Sequence, residues 1–205
     1  MKRGQDYMEN IPIHQGNSNS AKIAFMVNVA WGNEYLEDLL MILKEYQIHL
    51  TFFLEGRWVE NYSQYALMIK LAGHEIGNHA YSHPNMITLS IEDIKNEITN
   101  TNDVIEKHLK IKPAFFTPPF GYFDQRVLET AMKENMKTIL WTLDTLDWKI
   151  EDHHEVINRI VPRLKNGSII LMHPTKSSLA ALPFILNHAA ESRLKVCTIS
   201  ELLSS

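Results

Sequence analysis

The sequence predicts an α/β protein made of parallel β/α units in one domain. Three observations carry this: apolar runs recur at a steady interval, stretches with helical spacing lie between them, and 205 residues suit a single core burying roughly 70% of the unfolded surface. The first run, KIAFMVNVA (22–30), reads as a buried strand whose only polar side chain before the Gly32-Asn33 break is Asn28, and it is followed by the helical stretch EYLEDLLMILKEY. IHLTFFLEG then precedes YSQYALMIKLAG, and HEIGNH precedes IEDIKNEITNTNDVIEKHL, where Ser90 and Asp93 form a capping-box-like start. KPAFFTPP leads to DQRVLETAMKEN, KTILWT to HEVINRIVPRL, and GSIILMHP and KVCTIS complete the set. Gly73 and Gly167 are placed as helix stops ahead of short strands. Seven strand candidates in a single domain suit either a small barrel or a doubly wound sheet.

Composition narrows the functional classes. Twenty basic against 24 acidic residues leave a net charge of −4, with no Lys/Arg block to act as a phosphate-binding stripe, so nucleic acid is not an expected partner. The single Cys197 excludes an internal disulfide and reads as a small core residue. No apolar run approaches the roughly 18 residues of a membrane span, so membrane insertion is not expected. Residues 1–20, MKRGQDYMENIPIHQGNSNS, are polar, end in turn formers and lack the apolar centre of a secretory signal; they are expected to form an arm or linker ahead of a domain spanning 21–205.

Four short segments could carry chemistry. In HAYSH (79–83) two histidines four apart would lie on one face of a helical turn; neutral imidazoles suit zinc or a similar ion, and the alternative is an ordinary polar turn. TPPFG (117–121) is a stiff extended turn that Gly121 releases, and on its own reads as a rigid strand-to-helix connection. LDTLDW (143–148) sets Asp144 and Asp147 beside Trp148, where they could orient an imidazole and wall a pocket or simply cap the next helix. IILMHP ends a strongly apolar strand on His173, an acid or base near neutral pH or else a half-buried ring bonded to a carbonyl. Asn28, His79, 117–121, 144–148 and His173 all follow the carboxyl ends of successive strands, and a parallel barrel would gather them at one rim.

In this order the motifs resemble those of the polysaccharide deacetylases, the metal-dependent carbohydrate esterases with a NodB homology domain, from about Lys22 to Leu203. HAYSH is similar to the His-Ser/Thr-x-x-x-His metal motif with Ala80 in place of the hydroxyl residue, TPPFG to Arg-Pro-Pro-Tyr-Gly, LDTLDW to Asp-x-x-Asp-Trp and LMHP to Leu-x-His. The resemblance implies a distorted (β/α) barrel of about seven parallel strands. It also implies removal of N-acetyl groups from amino-sugar polymers such as peptidoglycan or chitin-like N-acetylglucosamine, at an extracellular or cell-envelope location with any signal or anchor outside this chain.

By the same resemblance His79 and His83 would hold a divalent ion, zinc first, and His173 would be the acid, oriented by Asp144 or Asp147. Trp148, Leu171, Pro118, Pro119 and Phe120 would line the substrate slot. The family's first strand ends in Thr-Phe-Asp-Asp-Gly, base then metal ligand, against MVNVAWG here; this sets Asn28 at the base and Val29 at the ligand, a shifted alignment reaches only Ala30, and no carboxylate is present either way. Thr117 replaces the arginine that steadies the base. Glu34 is the nearest downstream carboxylate, a stand-in base or merely the opening of the next helix. The expected function is thus a slow or atypical metal-dependent deacetylase, the alternative a catalytically silent relative that binds cell-envelope glycan.

Overall fold

A computed structural model describes residues 11–204. Eight strands form one sheet in which every pairing is parallel. They are β1 (Lys22–Val29), β2 (Thr51–Leu54), β3 (Glu75–Asn78), β4 (Phe115–Phe116), β5 (Lys137–Thr138), β6 (Leu143–Asp144), β7 (Ile169–Met172) and β8 (Lys195–Cys197). Seven run in the order β5-β4-β3-β2-β1-β7-β6, and β8 pairs with the start of β1. The helices between them are α1 (Leu36–Glu45), α2 (Gly56–Asn61), α3 (Ser63–Leu71), α4 (Ile91–Leu109), α5 (Gln125–Lys133), α6 (His153–Ile160), α7 (Lys176–Glu191) and α8 (Ile199–Leu203). None is long and apolar enough to cross a membrane among the described residues. This is the distorted barrel expected, with the two-residue strand β6 added to the seven candidates.

The alternation of strand side chains divides the core. Ile23, Phe25, Val27 and Val29 of β1 pack outward with the helices, among them Leu36, Leu39 and Leu43 of α1. Ala24 and Met26 face the barrel interior with Phe53, Ile169, Leu171 and Cys197. Asn28 continues the inner series of β1, as His173 continues that of Ile169 and Leu171, so both arrive at the carboxyl mouth. Cys197 is buried, as its apolar setting suggests.

Local signals explain most boundaries. Ser90 Oγ accepts from the Asp93 amide and donates to its carboxylate, opening α4 as expected. Gly73 follows α3 at φ +84°. Gly167 is also left-handed, but its place is the turn before β7, where a side chain would strike the Gly16 carbonyl.

The arm expected ahead of the domain is fastened to the sheet over its described residues. Ile13 bridges Ile139 beside β5, Gln15 bridges Ser168, and the Gly16 amide donates to the Gly167 carbonyl. It thereby spans the seam left where β5 and β6 do not pair. Residues 1–10 of that arm lie outside the described residues.

Candidate functional site

At the carboxyl ends of the strands lies a cleft of about 500 Å3. It collects Asn28, His79, His83, Asp144 and His173, with Leu171, Trp148 and Phe120 among its walls, so segments up to 145 residues apart in sequence meet as expected. Pro118 and Pro119 do not reach it; both are buried, and the turn leaves only Phe120, at φ +60°, on the surface. Glu34 is exposed in a short 3-10 turn and is not part of the lining.

His79 follows β3 into the interior and is 2% exposed. Its Nδ1 lies 2.9 Å from the Thr117 carbonyl, which can only accept, so the proton sits on Nδ1 and Nε2 keeps its lone pair. Burial, helped by the neighbouring His83, pushes its pKa down to about 3, so it stays neutral. Burial lowers that of His83 too.

The pair is not on a helix, contrary to the spacing argument. Residues 79–83 form an irregular loop with Ala80 (φ +61°) and His83 (φ +56°) in left-handed conformations, and the rings meet edge to face with centroids 4.9 Å apart. Backbone bonds from Gly56 and Arg57 to the carbonyls of Ala80 and Tyr81 pin this loop. Glu97 of α4 pins it further, accepting from the amides of Tyr81 and Ser82 and from the Ser82 hydroxyl.

Glu55, at the end of β2, supports the same corner. Its carboxylate accepts the Trp58 amide at 2.6 Å and caps α2. Burial, only partly offset by that bond and by Arg57, raises its pKa to about 7. The folded state therefore holds this proton more tightly than the unfolded chain, and stability is lost as pH rises from about 4.5 through 7. Glu55→Gln keeps an oxygen for the cap and is expected to match the parent near pH 4.5 and exceed it by on the order of 2–3 kcal/mol above pH 7. Urea midpoints measured across that range check it.

On the opposite wall Asp147, whose side chain is fully buried, accepts from both the His173 amide (Oδ2, 2.7 Å) and His173 Nδ1 (Oδ1, 2.8 Å). Its two oxygens thus fix ring orientation and tautomer together, leaving Nε2 as the ring nitrogen for a ligand. The orienting carboxylate is Asp147. Asp144 instead lines the cleft, with Oδ1 accepting the Leu146 amide and its pKa raised by burial.

Three lining residues were not anticipated: Trp31, Tyr122 and Trp141. Trp31 stacks on His173, centroids 5.6 Å apart and planes at 10°. A large aromatic directly beyond a strand end, as Trp31 is beyond β1, was the available signal.

The end of β1 decides which of these residues face the cleft. Val29 is fully buried in the outer core and pairs with Leu54, so no side chain at 29 faces the cleft. Two adjacent residues can share one cleft only where strand alternation stops. β1 stops at Val29, and Ala30 and Trp31 both line the cleft, followed by Gly32 at φ +85° against the Pro174 carbonyl. Asn28, Ala30 and Trp31, which this segment brings to the cleft, carry no carboxylate.

Residues 15–139 match the sequence model of the family described as polysaccharide deacetylase. The chain belongs to that family. YlxY, an uncharacterised protein of Bacillus subtilis, is 41% identical over 192 residues, 94% of this chain and 60% of its own length. A peptidoglycan-N-acetylglucosamine deacetylase of Bacillus cereus is 31% identical over 160 residues, 78% of this chain and 58% of its own. This polysaccharide deacetylase chain thus spans about 60% of the curated relatives it matches first. Among solved structures, BA3943 of Bacillus anthracis, described as a CE4 family pseudoenzyme, superposes with a TM-score of 0.93 at 42% identity, covering 95% of this chain and 69% of that one. A BA3943 mutant described as having restored enzymatic activity superposes equally well, TM-score 0.93 at 41% identity.

The family generally uses a divalent metal, and the donors here fall short of it. A catalytic zinc site takes three protein ligands; His79 and His83 offer two neutral imidazoles here, and the end of β1 adds no carboxylate to them. The Asn28 amide oxygen is buried without a hydrogen-bond donor among the described residues but is uncharged. The one group of three clustered donors found among the described residues, Asp152, His153 and His154, lies outside the cleft lining, at the start of α6.

Proposed function

We propose that this member of the polysaccharide deacetylase family binds amino-sugar polymer of the cell envelope in its carboxyl-rim cleft and has lost efficient deacetylation. The observation carrying this is the end of β1, which brings Asn28, Ala30 and Trp31, none of them a carboxylate, into the cleft. A positioned general base is worth about 10²–10⁴ in rate, and none of these side chains accepts a proton at neutral pH. The likeness to BA3943, described as a pseudoenzyme, supports the same reading. Trp31, Phe120 and Trp148 offer exposed ring faces for sugar stacking, and His173 offers Nε2 to a hydroxyl or amide.

A second reading, slow metal-dependent hydrolysis, is favoured by the intact Asp147–His173 pair, whose geometry suits protonation of a leaving amine. The experiment separating them titrates the chain with N-acetylglucosamine and peptidoglycan oligomers by calorimetry and assays acetate release at high protein with added zinc or cobalt. Binding without acetate supports the glycan-binding reading. Acetate release that His173→Ala abolishes supports slow hydrolysis, and absence of binding to every oligomer overturns both.

A further inference from the structure

Among the described residues Asp144 is the only carboxylate lining the cleft; Asp147 is buried and fully engaged by His173. Its Oδ1 accepts the Leu146 amide, while Oδ2 has no hydrogen-bond donor among the described residues. Arg159 of α6 bonds the Asp144 backbone carbonyl, not the carboxylate, and no Lys or Arg is among the described residues lining the cleft. The carboxylate is also half-buried, which raises its pKa and makes a positive partner favourable.

The second observation is the walls. Trp31, Trp141, Trp148, Phe120 and Tyr122 line the same 500 Å3 space, and an aromatic enclosure with one carboxylate is the chemistry that recognises an ammonium group. A divalent cation held in such a cleft would repel an ammonium group. Here the end of β1 brings no carboxylate to the cleft to hold such a cation, and that obstacle is weakened.

Resting on the glycan-binding reading above, we infer that the cleft is selective for a deacetylated amino sugar, a protonated glucosamine unit whose ammonium group donates to Asp144 within the aromatic walls. An acetamido group is neutral and gives a single N–H, so it adds no positive charge at the carboxylate beyond the nearby Arg159. The site then reads the product of deacetylation rather than its substrate, and the reaction class that must supply its ligand is hydrolysis of an N-acetyl group by another enzyme.

The test compares a glucosamine tetramer with an N-acetylglucosamine tetramer by calorimetry on the whole chain, at mildly acidic pH where the sugar amines are protonated. The glucosamine oligomer is expected to bind at least about tenfold more tightly. Asp144→Asn, which keeps an oxygen for the Leu146 amide, is expected to abolish that preference. Equal affinities, or tighter binding of the acetylated oligomer, overturn the inference and leave glycan binding standing. A preference surviving in Asp144→Asn also overturns it, assigning the effect to the chain's net charge of −4. Failure of both oligomers to bind overturns the glycan-binding reading as well.

Discussion

Ala30→Asp combined with Trp31→Asp is expected to raise acetate release from chitooligosaccharides about 10²–10⁴-fold over the parent chain, the usual worth of a positioned base. Both positions line the cleft in which His79 and His83 lie, so the new carboxylates complete a donor set of two imidazoles and an acid. Zinc content by atomic absorption is an independent readout and is expected to rise with the double variant, not with Ala30→Asp alone. Asn28→Asp with Val29→Asp is the discriminating control. Val29 is fully buried among Leu36, Leu54 and other apolar groups, so a charge there costs several kcal/mol and the protein is expected to be insoluble or unfolded. If the Asn28/Val29 variant folds and deacetylates while the Ala30/Trp31 variant does not, the family's carboxylates belong at Asn28 and Val29.

Asp147→Asn is expected to reverse the tautomer of His173. One amide oxygen can still accept the His173 backbone amide, but the NH₂ then faces Nδ1, which must become the acceptor and pass its proton to Nε2. Nitrogen NMR of the ring reads this directly, as a shift from the Nδ1–H to the Nε2–H pattern. Asp147→Ala leaves both donors without a partner in a dry site and is expected to lower unfolding free energy by about 2–5 kcal/mol, against about 1–3 for Asp147→Asn. A ring unchanged in Asp147→Asn would mean that something other than this carboxylate fixes it. Where Nε2 has changed from acceptor to donor, any ligand hydroxyl that donated to it is lost, so glycan affinity is expected to fall while the fold persists.

The gathering of Asn28, His79, Asp144 and His173 was legible because each follows an apolar run, and parallel strands deliver their carboxyl ends to one rim. Less local features were hidden. β6 is two residues long, too short for a period. α7 carries Pro183 in its interior and buries side chains on several faces, so it lacks a single apolar stripe. The loop of His79 and His83 is built from left-handed Ala80 and His83, conformations that only its anchors on Glu97 and α2 make affordable, and no spacing rule encodes them. Which of Asn28, Val29, Ala30 and Trp31 face the cleft needed the observed end of β1, because motif letters align equally well to a strand interior and to the loop beyond it.

β1 is flanked on one side by β7 and on the other by β2 and β8, and Gly16 abuts Leu202 of α8. Segments near residue 20 thus find their neighbours only after residues near 170 and 197 have left the ribosome. Until then the central strand of the nascent sheet has an open edge, so acquisition of structure is late and of high contact order. The interval is one in which a chaperone or a secretion machinery would meet this chain still extended.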